Sequence, residues 1–101
     1  MKTELQLVVP QSKRTSRINP TIVCKDGFKI SVQASNCHYC NPRDNIGPYT
    51  HVECGFPSTK PLNPELLEYA EDTEDYTKTI YGYVPEAVVW IEIALHGGIA
   101  E

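Results

Sequence analysis

TIVCKDGFKISVQASNCHYCNPRDNIGPYTHVECGF, residues 21–56, is the stretch whose reading decides the fold. Asp26-Gly27 lies between two β-prone runs, the preferred composition of a two-residue type I′ turn, which needs positive φ at both central positions. With those two residues as the loop, Lys25 pairs with Phe28, Cys24 with Lys29 and Val23 with Ile30. Thr21, Val23, Phe28, Ile30 and Val32 then share a face. A third run, about Thr50 to Phe56, fits the same scheme if Ala34 pairs with Val52, Val32 with Cys54 and Ile30 with Phe56. A slip of one residue would bury His51 and Glu53, so the apolar pattern specifies the register. The expected core is Phe28, Ile30, Val32, Ala34, Val52, Cys54 and Phe56. Lys29, Ser31, Gln33, Ser35, His51 and Glu53 are expected on the opposite, polar face.

Outward from this stretch the chain reads as connections and helices. Thr3 to Val9 alternates loosely and predicts a strand that Pro10 confines to a sheet edge. Residues 11–19 carry Lys13, Arg14 and Arg17 without periodicity and read as a solvated basic linker. After Pro57, Asn63-Pro64-Glu65 combines an N-cap, a first-turn proline and an acidic first turn, so a helix is expected to about Asp72. Leu66, Tyr69 and Ala70 would be its buried residues. Thr77 to Tyr83 is β-prone and predicts a further strand. Pro85 then opens a last helix in which Val84, Val88, Ile91 and Leu95 recur at helical spacing. Gly97-Gly98 end it, and His96 sits where a helix C-terminus favours a cation. The class is therefore α+β: an antiparallel sheet of three to five strands with two helices packed on one face. One domain is expected over 1–101, with 1–20 forming the N-terminal strand and linker and 21–101 the α+β core.

Composition narrows the function classes. A net charge of −4 and a pI near 5.3 argue against general nucleic-acid binding. No apolar run is long enough to cross a bilayer, and the N-terminus lacks the apolar core of a signal peptide, so a cytoplasmic protein with reduced thiols is expected. Cys37-His38-Tyr39-Cys40 is a CxxC, with Cys24, Cys54 and His51 in the same segment. A structural zinc site needs four ligands converging on one ion. On the inferred strands Cys24 and Cys37 stand roughly 26 Å apart, at about 3.3 Å per residue, and Cys24 and Cys54 fall on opposite faces. No metal site and no cofactor are therefore predicted. No nucleophile elbow, P-loop or dinucleotide fingerprint accompanies the cysteines and histidines, so an enzyme is not predicted either.

The loop from Asn36 to Tyr49 is the best candidate site. It sets His38, Tyr39, Arg43 and Tyr49 beside the polar sheet face, where Ser31 and Gln33 would add neutral hydrogen bonds. Tyr and Arg together stack on a base and pair with a phosphate, which suits a nucleotide-type ligand. A plainer alternative pairs Arg43 with Asp44 on a solvated face. A second feature is the acidic run 65–75, which holds six carboxylates in eleven residues. It reads as a solvated helix face or, alternatively, as a DNA mimic that occupies a basic nucleic-acid channel.

The strings DGFKISVQAS, HYCNPR, GPYTHVECGFPS and YGYVPEAVV resemble a family of small, mostly uncharacterised proteins encoded by tailed bacteriophages, over about residues 22–99. The resemblance implies a small protein made inside an infected bacterium and carries over no functional residue. By analogy with accessory phage proteins it suggests a counter-defence factor. Two mechanisms are open. One is a homo-oligomer that sequesters a nucleotide-type signalling molecule without catalysis. The other is an inhibitor that binds a host defence nuclease or effector through the acidic helix and Trp90.

Overall fold

The computed structural model describes residues 7–16 and 18–100, and there the chain forms four strands and two α-helices. The strands β1 (Ile22–Val23), β2 (Lys29–Gln33), β3 (His51–Gly55) and β4 (Ile80–Pro85) form one antiparallel sheet in the order β1-β2-β3-β4. The helices are α1 (Pro64–Leu67) and α2 (Glu86–Leu95). The expected α+β class is the one observed, with residues of both helices and of the sheet's apolar face in one core cluster.

The β2–β3 register is the expected one, with Val32 opposite Cys54. Ile30, Val32, Ala34, Val52 and Cys54 are all fully or almost fully buried. Phe56 leaves the pattern: the strand ends at Gly55, the chain turns through a left-handed residue at Phe56 (φ 49°), and the ring is 62% exposed. The first hairpin also differs. Ile22 pairs with Ile30 and Val23 with Lys29, one residue away from the expected register. The loop holds three residues, Lys25-Asp26-Gly27, closed by hydrogen bonds from Gly27 N–H to Cys24 O and from Cys24 N–H to Phe28 O. Only Gly27 needs positive φ (97°), which is the geometry of a type I turn followed by a glycine bulge rather than a type I′ turn. The shift places Ile22 and Cys24 on the inner side and turns Val23 out, so Cys24 and Cys54 are both buried instead of lying on opposite faces.

The segment read as a solvated linker is docked. Asn19 donates its N–H to Gln33 Oε1 and accepts from Gln33 Nε2 through its carbonyl, at 2.8 and 3.0 Å. Ser12 N–H reaches Asn45 O, Leu7 N–H reaches Glu86 Oε2, and Val8 is fully buried in the core cluster. Gln33 and Ser35 are consequently buried polar groups with partners, not an open polar face. The expected N-terminal strand falls mostly outside the described residues, and Leu7–Val9 are not in a strand.

Helix α1 begins as expected, with the Asn63 side chain accepting from Glu65 N–H and Leu66 fully buried, but it ends at Leu67. From Glu71 the chain is drawn back to the sheet, where Glu71 N–H bonds Ile80 O and Asp72 N–H bonds Thr79 Oγ1, so the rest of the acidic run is not helical. Helix α2 is rotated from the expected stripe. Val88, Val89, Glu92 and Ile93 face inward, Ile91 and Leu95 are about half exposed, and Val84 belongs to β4.

Glu92 is the unexpected core residue, with no exposed surface. Its carboxylate accepts the backbone N–H groups of Leu62 (2.9 Å) and Asn63 (2.7 Å) and meets His96 Nε2 at 2.8 Å. His96 Nδ1 meets Asp26 at 2.7 Å, and the ring stacks on Phe28 with centroids 3.8 Å apart. Burial works against a charged His96, but the hydrogen bonds and negative charges of Asp26 and Glu92 outweigh it and raise its pKa above the ordinary value. The Phe28 N–H, and after it His96, hold Asp26 below the usual carboxylate range.

Replacing Glu92 with Ala leaves two inward N–H groups and His96 without their acceptor. At about 1–3 kcal/mol per unsatisfied buried group, denaturant titration should show a loss of about 2–5 kcal/mol, with Glu92→Gln intermediate. Because the His96 pKa is raised on folding, its contribution is full below about pH 6.5 and declines as pH rises through the folded-state value. Because the Asp26 pKa is lowered on folding, its contribution is present above about pH 4 and declines as pH falls through the folded-state value. Stability measured against pH should therefore be highest between those limits, and His96→Asn should flatten the fall on the alkaline side.

Candidate functional site

The residues that sequence pattern assembled into one site divide into four groups. Ser31 and Gln33 bond each other (3.0 Å), and Gln33 is held by Asn19, so both are occupied inside the structure. Tyr49 is buried, and its hydroxyl donates to Asp44 O at 2.8 Å, pinning the loop from within. Burial pushes its phenol pKa up. His38 is half-buried and bonds Ser35 Oγ through Nδ1 at 2.7 Å. Tyr39 and Arg43 are the exposed members, and the structure brings them together, with the guanidinium 5.4 Å from the Tyr39 ring centroid.

A third side chain completes this exposed group, one that sequence pattern assigned only to a strand end. The Tyr83 ring stacks on Tyr39 with centroids 5.7 Å apart and planes 29° apart, and it is 48% exposed. Its placement follows from a β-bulge. Val52 pairs with Val84 and Cys54 with Tyr81, so Gly82 and Tyr83 together oppose Glu53. Tyr83 absorbs the extra residue by adopting a left-handed conformation, φ 52°, which costs a non-glycine residue about 1–2 kcal/mol. Glu53 Oε1 accepts the Tyr39 N–H (2.8 Å), and Tyr39 O accepts the Tyr83 N–H (2.9 Å). Gly82 permits this approach, since a Cβ there would stand 3.3 Å from Tyr39 Cβ. The repeat Tyr-Gly-Tyr at 81–83 was the available signal: a glycine flanked by tyrosines inside a β-prone run marks a bulge or a close backbone approach.

Arg43 is not neutralised by Asp44. Asp44, its sequence neighbour, accepts instead from the N–H groups of Ile46 and Gly47, both at 2.9 Å, and these hold its carboxyl below the usual range. Among the described residues no carboxylate pairs with Arg43. Among the described residues the site is therefore an open aromatic surface beside a permanently charged guanidinium with no carboxylate partner. Such a surface has the chemistry to stack on a planar ring and to pair with an anion.

Other reactive groups are differently placed. Cys24, Cys40 and Cys54 are buried, and desolvation raises each thiol pKa, most of all at Cys54. Cys40 Sγ donates to Ser35 O, while Cys37 is exposed. Among the described residues no group of three or more His, Cys, Asp or Glu is arranged to hold a metal ion. A cavity of about 260 Å³ touches Asp26, Phe28, Ser58 and His96, but both His96 ring nitrogens are occupied by carboxylates. No described helix is long and apolar enough to cross a membrane. Family models, curated proteins and solved structures were compared with this chain, and none matches it.

Asparagine tolerates the left-handed region far better than tyrosine. Tyr83→Asn should accordingly leave chemical stability unchanged or raise it by up to about 1 kcal/mol. It should also abolish the Tyr39 ring-current shifts seen by NMR. A loss of more than about 1 kcal/mol would mean that the ring supports the fold rather than being displayed by it.

Proposed function

We propose that this protein is a non-catalytic binder of a nucleotide-type small molecule, held on Tyr39, Tyr83 and Arg43. The observation that carries the reading is the unpaired Arg43 guanidinium over an exposed tyrosine that stacks on a second exposed tyrosine. A base would stack on the tyrosines while a phosphate pairs with Arg43, a division of labour common at nucleotide sites. Together with the resemblance to proteins of tailed bacteriophages, this makes sequestration of a nucleotide signal, as a counter-defence activity, the preferred role. A homo-oligomer would raise the number of captured molecules per particle.

A second reading is kept for one observation. All six carboxylates of residues 65–75 are exposed. That makes the segment a ready surface for a basic patch on a host nuclease or effector.

Thermal-shift and calorimetric titration with cyclic di- and trinucleotides and ADP-ribose derivatives separates the two. The sequestration reading expects binding by at least one of these ligands. Arg43→Ala should weaken that binding about 10–100-fold, the value of a charge-assisted hydrogen bond of about 1.5–3 kcal/mol, without lowering the melting temperature. Absence of binding across that set, with co-purification of a host protein that is lost when the acidic residues are neutralised, would replace it with the inhibitor reading.

A further inference from the structure

A second cavity lies beside the aromatic surface in sequence but is chemically unlike it. It has a volume of about 430 Å³ and is lined by Gln11 and Ile18 from the docked N-terminal segment and by Asn36, His38 and Asn45 from the 36–50 loop, among others. The volume falls in the range of small-molecule sites, about 300–1,000 Å³. Among the described residues, no Asp, Glu, Lys or Arg lines it. Its polar lining comprises three carboxamides and an imidazole, together with Ser35 and Cys37.

The carboxamides and the imidazole each have one polar atom tied to the protein. Asn45 Oδ1 accepts the Asn36 N–H (3.0 Å), Asn36 Oδ1 accepts from Cys37 Sγ (3.2 Å), and Gln11 Nε2 donates to Ser16 O (3.2 Å). His38 Nδ1 is bonded to Ser35 Oγ. These bonds orient the groups and leave the other polar atom of each without a protein partner among the described residues: two amide donors (Asn36 Nδ2 and Asn45 Nδ2), one amide acceptor (Gln11 Oε1) and His38 Nε2. A pre-oriented, uncharged mixture of donors and acceptors suits a heterocycle edge that itself alternates the two. It does not suit a phosphate, which asks for donors and positive charge. Ile18, 59% exposed, supplies an apolar wall.

We propose that this cavity is a nucleobase site, reading the hydrogen-bonding edge of a base through Asn36, Asn45, Gln11 and His38. His38 and Tyr39 are adjacent in the chain, so the cavity and the aromatic surface are two subsites joined by one peptide unit. The choice of ligand class rests on the nucleotide reading given above; the neutral donor–acceptor set is an independent observation. The cavity gives base selectivity, and the Arg43 surface gives affinity for phosphate and for any base.

The test is a ¹H–¹⁵N NMR titration with guanosine, adenosine, cytidine and uridine, which carry no phosphate, and separately with ribose 5-phosphate. Nucleosides should move the side-chain amide signals of Asn36 and Asn45, with the best base binding at least tenfold more tightly than the worst. Ile18→Trp, which fills the cavity from an exposed position, should abolish those shifts. Asn36→Ala should erase the base preference. Ribose 5-phosphate should move Arg43 alone. Cavity signals that stay still with all four nucleosides, or shifts that survive Ile18→Trp, overturn the inference. If that happens while nucleotides still bind through Arg43, the function proposed above stands. Nucleoside binding in the cavity with no nucleotide dependence on Arg43 upholds this inference and overturns the role given to the aromatic surface.

Discussion

The carboxylate of Glu92 is the constraint on which the arrangement of helices and turn depends. A fully buried carboxylate is costly to desolvate, and it is tolerated only where its oxygens are saturated by donors. Glu92 meets that condition with two backbone N–H groups at the start of α1 and with His96 one turn further along α2. His96 passes the connection to Asp26 at the first hairpin, and Phe28 stacks on its ring. Asn63, besides capping α1, donates its side-chain N–H to Val88 O. Three segments far apart in sequence are thus fixed by directional bonds, which apolar contact alone would leave free to slide.

This network also explains why parts of the fold were legible and others were not. The β2–β3 register was readable because large apolar residues alternate with polar ones, and a slip would bury Glu53 and His51. Helix α2 was misread in rotation because the apolar stripe was sought without charged positions. A buried glutamate at 92 breaks that pattern, and only its partners from Leu62, Asn63 and His96 make it an inward residue. The polar face of β2 failed for the same reason in reverse. Gln33 and Ser35 look solvated when read as polar letters, yet a buried amide is stable once its donors and acceptor are met, as Asn19 and Ser31 together do for Gln33. Binary patterning records polarity and is blind to satisfaction.

The candidate site shows the same division. Tyr39 and Arg43 were identifiable because an Arg/Tyr loop is chemically distinctive. Tyr83 was not, because its position depends on a bulge that adds one residue to β4 and turns the ring out over Tyr39. Tyr49, by contrast, had the right chemistry and the wrong location: its ring closes the base of the loop, and its hydroxyl is spent on Asp44 O. Residue type indicates what a side chain can do, and the local backbone decides whether it is displayed.

The stabilising network and the aromatic surface occupy opposite ends of β2. Asp26 and Phe28 precede Lys29, whereas the loop bearing Tyr39 and Arg43 follows Gln33, and a five-residue strand spans roughly 16 Å at about 3.3 Å per residue. Perturbations separated by more than about 7–10 Å and sharing no partner are close to additive. The left-handed Tyr83 is a local cost at the end of the sheet that carries Arg43 and the cavity. It persists because the Glu92–His96–Asp26 network and the Ile30–Val32–Val52–Cys54 core hold the scaffold independently of it. An open guanidinium beside exposed rings is what a binding surface would use, since a surface already satisfied by its own protein has nothing left to offer a ligand.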